Sequence, residues 1–186
     1  ITATKRAHEE GLTDKVSFAL QDYRYEIDTY DRIVSVGMFG HVGVKYFKVF
    51  LKKTYELLNE GGIFLLHTIG QRGKPTATSP WIRKYIFPGG YIPSLSEILQ
   101  VCEKTNINIT DIEILRFHYD NTLTHWYQNI LKNKDRIINM FDDRFFRMWE
   151  FYLLASKYTF LNMGNVVFQI QIAKNGNNVP LTRNYI

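Results

Sequence analysis

The 186-residue chain is 45% apolar and 22% charged, a balance that folds around a core and excludes an intrinsically disordered segment. Its net charge of +5 is mild and no run of Lys or Arg exceeds two; with no RNP-like motif and no metal-binding Cys/His spacing, nothing points to nucleic acid or to a bound metal. Cys102 is the only cysteine, which excludes an internal disulfide, and no stretch reaches the ~18–20 apolar residues of a membrane-spanning helix.

In chain order, residues 1–10 read as a helix already under way, closed by Gly11, and the start at Ile1 without Met leads us to expect a piece of a longer chain. Residues 16–21 alternate, with Val16, Phe18 and Leu20 on one side, and predict a strand. The apolar run at 33–36 predicts a buried parallel strand. Val44, Phe47, Phe50, Leu51, Tyr55 and Leu58 recur at helical spacing and predict one helix over 44–58, stopped by Asn59-Glu60-Gly61-Gly62. A second buried strand is expected over 63–66, followed by His67-Thr68-Ile69-Gly70. Residues 71–80 read as a loop and 81–86 as a short helix. The next helix starts at Ser94, with Glu97 as capping-box partner, and carries Cys102 as inert core beside Leu99 and Val101. An alternating strand lies within 107–117, two amphipathic helices span 120–139 and 142–162, and residues 165–173 alternate as a last strand. One domain is expected over 1–174, with a polar tail at 175–186 that frays.

Strands alternating with helices predict an α/β fold with a largely parallel sheet. In such sheets ligands bind outside the carboxyl ends of the strands. Three polar clusters fall at such ends: Gln21-Asp22-Tyr23-Arg24, Gly37-Met38-Phe39-Gly40-His41 and His67-Thr68-Ile69-Gly70. The Gly-rich strand–loop–helix with which a nucleotide-binding α/β domain opens is not found in these residues.

Several stretches match one family in order and spacing. They are 20–24, Asp31 to Gly43 apart from Gly40, 62–70, Trp81-Ile82 with 84–90, and Tyr119-Asp120 through Thr122-Leu123 to Trp126-Tyr127. Over residues 1–173 the chain resembles the cyclopropane-fatty-acyl-phospholipid synthases and mycolic acid cyclopropane synthases. The resemblance implies a class I methyltransferase (Rossmann-like) sheet with added helices, lacking its first strands. It implies methylene transfer from S-adenosylmethionine to the cis double bond of an unsaturated phospholipid acyl chain. The alkene attacks the sulfonium methyl, and the resulting carbocation loses a proton to close the ring. Bicarbonate is the family's base.

By position, the resemblance makes His67, Ile69 (through its backbone) and Tyr119 ligands of that anion. Gly40 stands where the family has a glutamate, and the family's cysteine ligand falls before Ile1. Tyr23 matches the aromatic that stacks on adenine, Asp22 and Gln21 its edge, and Val36 and Gly37 the lining of the cofactor cleft. Trp81, Tyr85, Phe87, Tyr91 and Ile92, with Phe145, Phe146, Trp149, Phe151 and Tyr152, are candidates to line an acyl pocket, although such aromatics at helical spacing also read as plain core. A cytoplasmic enzyme making peripheral contact with the inner face of the membrane is implied, helped by the basic excess.

Two further readings stay open: a catalytically impaired lipid- or cofactor-binding relative, favoured by Gly40, and a small-molecule methyltransferase on the same fold. If the sheet follows the family order, the strands at 16–21 and 33–36 are separated by two vacant places, whose edges are costly to expose. Residues 1–186 alone are therefore expected to fold poorly or to pair abnormally as a homodimer. A cooperative thermal transition in a monomeric 186-residue chain would contradict this expectation.

Overall fold

The computed structural model describes residues 1–185; Ile186, the last residue of the expected tail, lies outside the described residues. Helix α1 (Thr2–Glu9) buries only Ala7 and ends before Gly11, which takes φ +67°. The strand expected over 16–21 does not form. A strand needs a hydrogen-bonded neighbour, and this segment pairs with none among the described residues, leaving Val16, Phe18 and Leu20 exposed.

Strand β1 (Tyr30–Val36) runs parallel to β2 (Leu58–Gln71), in register from Ile33 opposite Phe64 to Val36 opposite His67. It is an edge strand rather than the buried strand expected, with Val34 63% and Val36 67% exposed. The helix expected over 44–58 is divided. Helix α2 (Phe39–Val42) comes first, Gly43 at φ +84° ends it, a 3-10 turn spans Val44–Tyr46, and α3 (Phe47–Glu56) follows. Leu58 has already joined β2.

Pro80, which needs no amide partner, opens α4 (Pro80–Tyr85). The reciprocal Ser94–Glu97 capping box opens α5 (Leu95–Thr105), and Asn106 closes it in the left-handed region. Cys102 of α5 is buried, and desolvation pushes its thiol up to about 11, so it is the inert core residue expected. After β3 (Ile109–Leu115) the chain forms α6 (His118–Lys132), α7 (Lys134–Met140) and α8 (Asp143–Asn162), and then β4 (Asn165–Ala173). The single helix expected over 120–139 breaks at Asn133.

The sheet order is β1-β2-β4-β3; β1, β2 and β3 run in one direction as expected, and β4 alone is reversed, antiparallel to both neighbours, which makes the sheet mixed. The connection explains the difference. One crossover helix carries the chain to the far end of a sheet and yields a parallel strand. Here α6 leaves β3 and α8 packs back along it, so β4 enters from the end where β3 stopped.

Alternation along β2 feeds two cores. Phe64 and Leu66 join Phe39, Phe47, Phe50, Ile98, Phe168 and Ile170 beneath α2, α3 and α5. His67 and Ile69 face the other side, where Ile69 packs on the cluster of Leu123, Phe146, Leu153, Phe160 and Val167 from α6, α8 and β4. In the tail Val179 is buried, Tyr185 hydrogen-bonds Gln171 and Arg183 pairs with Asp111 at 2.9 Å, while Leu181 is fully exposed.

Gly70 lets the two strands carry an aromatic across the sheet, because a Cβ there would overlap the buried ring of Phe168. We expect Gly70→Ala to destabilise the fold by about 1–3 kcal/mol, seen as a lower urea midpoint. An unchanged midpoint would contradict this packing.

Candidate active site

The carboxyl end of β1 meets β2 at His67, four residues before β2 itself ends at Gln71. Val36 lies beside His67 in register, and the Gly37 N–H donates to the His67 carbonyl at 3.1 Å. Gly37 takes φ +74°, open to glycine without strain, and a side chain there would meet nothing within 4 Å, so the space beside it is free for a ligand. Backbone groups on alternate residues of a strand point to the same side. On β2 the His67 carbonyl is met by Gly37, and the Gln71 N–H donates to the Pro93 carbonyl at 2.9 Å. Ile69 lies between these two anchors, on the side where β1 has ended. Its N–H therefore faces a gap in the sheet edge bounded by Gly37 and Pro93.

The His67 ring is half-buried, and desolvation lowers its pKa, so the imidazole is neutral at neutral pH. Its Nδ1 lies 3.3 Å from Gln169 Nε2 on β4. Tyr119, in the first turn of α6, stacks on Phe160 of α8, with ring centroids 5.1 Å apart and planes 14° apart. Three residues before Phe160, Lys157 pairs with Asp120 at 3.4 Å, so α8 grips the start of α6 at two adjacent points. Ile69 and Tyr119 pack on the same apolar cluster, as do Trp149 and Tyr152.

Gly40 lies in α2, with its carbonyl accepting from the Tyr91 N–H at 2.8 Å. A Cβ at this position would stand 3.0 Å from the Tyr91 carbonyl oxygen, so a side chain fits only if the 87–91 turn gives way by a few tenths of an ångström. That turn joins α2 to α8: Phe87 meets the His41 ring at 5.7 Å and the Tyr152 ring at 6.0 Å. Tyr91 points away, donating its hydroxyl to Glu97 at 2.8 Å, and desolvation followed by Glu97 lifts its pKa to about 12.

No hydrogen bond joins the 21–23 cluster to these groups. The Asp22 side chain caps a 3-10 turn and accepts from Arg24, whose guanidinium approaches it at 2.6 Å. Tyr23 packs edge-on against Phe50 at 5.4 Å and is partly buried. Its ring could stack an aromatic ligand, whereas the Asp22 carboxylate is already engaged by Arg24.

A surface groove of about 580 Å³ runs between α4 and α8, lined by Trp81, Tyr85, Phe145, Met148 and Phe151, with Asp142, Arg144 and Arg147 at its border. Four of the aromatics expected at an acyl pocket are therefore together. Phe146 belongs to the core beneath α8, and Tyr91 packs toward the core on the other face of the sheet.

A sequence profile of the family described as mycolic acid cyclopropane synthetase matches residues 2–170. The chain belongs to this family. It is 41% identical over 163 residues to the cyclopropane-fatty-acyl-phospholipid synthase of Escherichia coli (strain K12), covering 86% of this chain and 42% of that protein. It is 32% identical over 191 residues to a probable fatty acid methyltransferase of Pseudomonas putida, covering 96% of this chain and 48% of that protein. The chain thus spans less than half the length of these relatives. Among solved structures, mycolic acid cyclopropane synthase CmaA1 complexed with SAH and CTAB superposes with a TM-score of 0.77 at 25% identity, over 90% of this chain and 65% of that one. The cyclopropane synthase MmaA2 from Mycobacterium tuberculosis gives 0.76 at 25% identity, over 90% and 66%. The class I methyltransferase sheet expected from the resemblance is thereby established, in its mixed form.

Of the residues expected at the site of this cyclopropane synthetase family member, the fold joins Val36, Gly37 and His67 directly, and Ile69 with Tyr119 through one apolar cluster. Gly40 reaches them only through the 87–91 turn, and Gln21, Asp22 and Tyr23 make no hydrogen bond to them. Gln169 was missed. Its signal was present in the alternation of 165–173, which sets Gln169 on the face opposite the buried Phe168 and Ile170.

The Arg24 guanidinium, helped by the Arg24 N–H, holds the Asp22 carboxyl down at about 2. The folded value is depressed, so the contribution of the pair is present above the ordinary 3.8 and is lost as pH falls through about 2. In an NMR pH titration Asp22 is expected to show a midpoint near about 2, moving back toward 3.8 in Arg24→Ala. Indistinguishable midpoints in the two proteins would contradict the pairing.

Proposed function

We propose that the protein carrying this chain is an S-adenosylmethionine-dependent lipid methyltransferase of the cyclopropane-fatty-acyl-phospholipid synthase type, transferring a methylene unit to a cis double bond in an unsaturated phospholipid acyl chain. The observation that carries this reading is the gap at the Ile69 N–H, bounded by Gly37 and Pro93, beside the neutral His67 ring. S-adenosylmethionine, when bound, supplies an electrophilic methyl group on a sulfonium; Tyr23 is suited to stack on its adenine, and Val36 and Gly37 to line its cleft. Gln21 and Asp22 flank the adenine position, with Asp22 approaching only as far as its pairing with Arg24 permits. Bicarbonate, when bound, supplies the base.

The donors suited to that anion belong to this chain. A backbone N–H at Ile69, the ring N–H of a neutral His67 and the Tyr119 hydroxyl each donate a hydrogen bond without contributing a proton-accepting charge. Ile69 and Tyr119 pack on the apolar cluster of Phe160, Tyr152 and Val167, a setting of low polarity in which such bonds are stronger. The aromatic groove between α4 and α8, with Arg144 and Arg147 at its border, suits an acyl chain approaching from an anionic lipid surface. The proposed contact is peripheral, at the cytoplasmic face of the inner membrane; no helix among the described residues is long and apolar enough to cross a membrane.

Gly40 favours a second reading, a catalytically impaired relative. It offers no carboxylate, and the Tyr91 carbonyl stands where a side chain would begin. The test is turnover of full-length protein with S-adenosylmethionine on vesicles of unsaturated phospholipid, comparing the Gly40 form, Gly40→Glu and His67→Ala. We expect slow formation of modified lipid by the Gly40 form and a higher rate in Gly40→Glu. In His67→Ala, kcat should fall by about 10²–10³-fold, as for removal of one donor to a developing or bound anion. High activity with Gly40 itself would remove the impaired reading. Absence of product from both the Gly40 and Glu forms would overturn the proposed activity.

A further inference from the structure

Strand β4 places Gln169 directly opposite His67, on the same face of the sheet, with Gln169 Nε2 3.3 Å from His67 Nδ1. Val36 lies on the other side of His67 in the same row, and Glu113 of β3 lies beyond Gln169. An amide NH2 group is only a donor, so a ring nitrogen bonded to it must carry a lone pair and no proton. A neutral imidazole has one ring proton, and that proton is then left on the opposite nitrogen.

We propose that Gln169 is a positioning residue that fixes His67 in the tautomer with its proton on Nε2, so that the outward nitrogen donates a hydrogen bond to an anion. With the glutamine turned over, its carbonyl would accept from Nδ1–H, and Nε2 would present a lone pair that repels an anion. Donation from Gln169 is thus the arrangement that makes His67 a ligand for an anion rather than a competitor for its proton. The row carries two other charged groups, Glu113 and the Arg183 guanidinium, which lies 4.0 Å from Glu113 and pairs with Asp111. Neither is bonded to the His67 ring. The functional consequence rests on the reading of His67 as an anion ligand, whereas the tautomer itself does not.

The test uses the full-length protein labelled with ¹⁵N-histidine, with long-range ¹H–¹⁵N correlations of the His67 ring assigned by comparison with His67→Gln. The expected wild-type pattern is a protonated Nε2 and a bare Nδ1. In Gln169→Glu the facing group can only accept, so the proton should move to Nδ1. Because a carboxylate beside Glu113 could prevent folding, Gln169→Met, similar in size and uncharged, is measured in parallel and should show a mixture of the two tautomers. In the vesicle assay both variants should lower kcat by about 10–100-fold, as for partners that orient a metal-bound histidine, with KM for S-adenosylmethionine unchanged. A wild-type His67 protonated on Nδ1, or a tautomer unchanged in both variants, would overturn the proposal. Wild-type protein without turnover would count against the proposed activity instead, and the nitrogen shifts would still decide the tautomer.

Discussion

The ladder between β2 and β4 is the constraint on which the rest of this structure depends. It runs from Ile63 opposite Ala173 to Gln71 opposite Asn165 without a register shift. Side chains alternate across a strand with period two, so a slip of one residue would exchange the two faces. In the observed register Phe64, Leu66, Phe168 and Ile170 fall into one core, while His67, Ile69, Val167 and Gln169 fall on the other face. The same alternation turns backbone groups of residues 67, 69 and 71 toward the side where β1 stops. One ladder thereby aims the imidazole, its glutamine neighbour and the free side of Ile69.

The second element is the return of α8 along α6. It makes β4 antiparallel, and through Phe160 and Lys157 it holds Tyr119 and Asp120 at the first turn of α6. Tyr119 is thus held against the same apolar cluster on which Ile69 packs. The 87–91 turn adds the third support by joining α2 to α8 through His41, Phe87 and Tyr152. Its backbone lies so close to α2 that Gly40 is accommodated and a larger residue would have to displace it. The glycine is therefore matched to its packing.

Much of this was legible in the residues themselves. Alternation located β3 and β4, helical spacing located α3, an apolar run located the middle of the longer strand β2, and the Ser94–Glu97 pair marked the start of α5 within one residue. The site histidine, Ile69 and Tyr119 were reached through motifs that match a family, and the fold brings Ile69 and Tyr119 onto one cluster. Pairing partners were not legible. The alternating segment 16–21 carries a sound strand pattern, yet a pattern cannot supply a neighbour, and the segment stays unpaired. For the same reason β1 was expected to be buried and lies at an edge. The antiparallel course of β4 depends on how α6 and α8 pack against each other, a tertiary contact that no single segment encodes. Gln169 was hidden likewise, because its role exists only once β4 is laid against β2.

The central claim is that the end of β1 and the stretch of β2 from His67 to Gln71, with the Tyr23 turn, form one cofactor-responsive site. Hydrogen exchange of the full-length protein with and without S-adenosylhomocysteine tests it most directly, since local opening is slowed where a ligand binds. The account predicts added protection in peptides covering residues 21–25, 35–41 and 67–71, with the α4–α8 groove unaffected. Protection confined to that groove, or an unchanged pattern at all three segments with the ligand shown to bind, would contradict it.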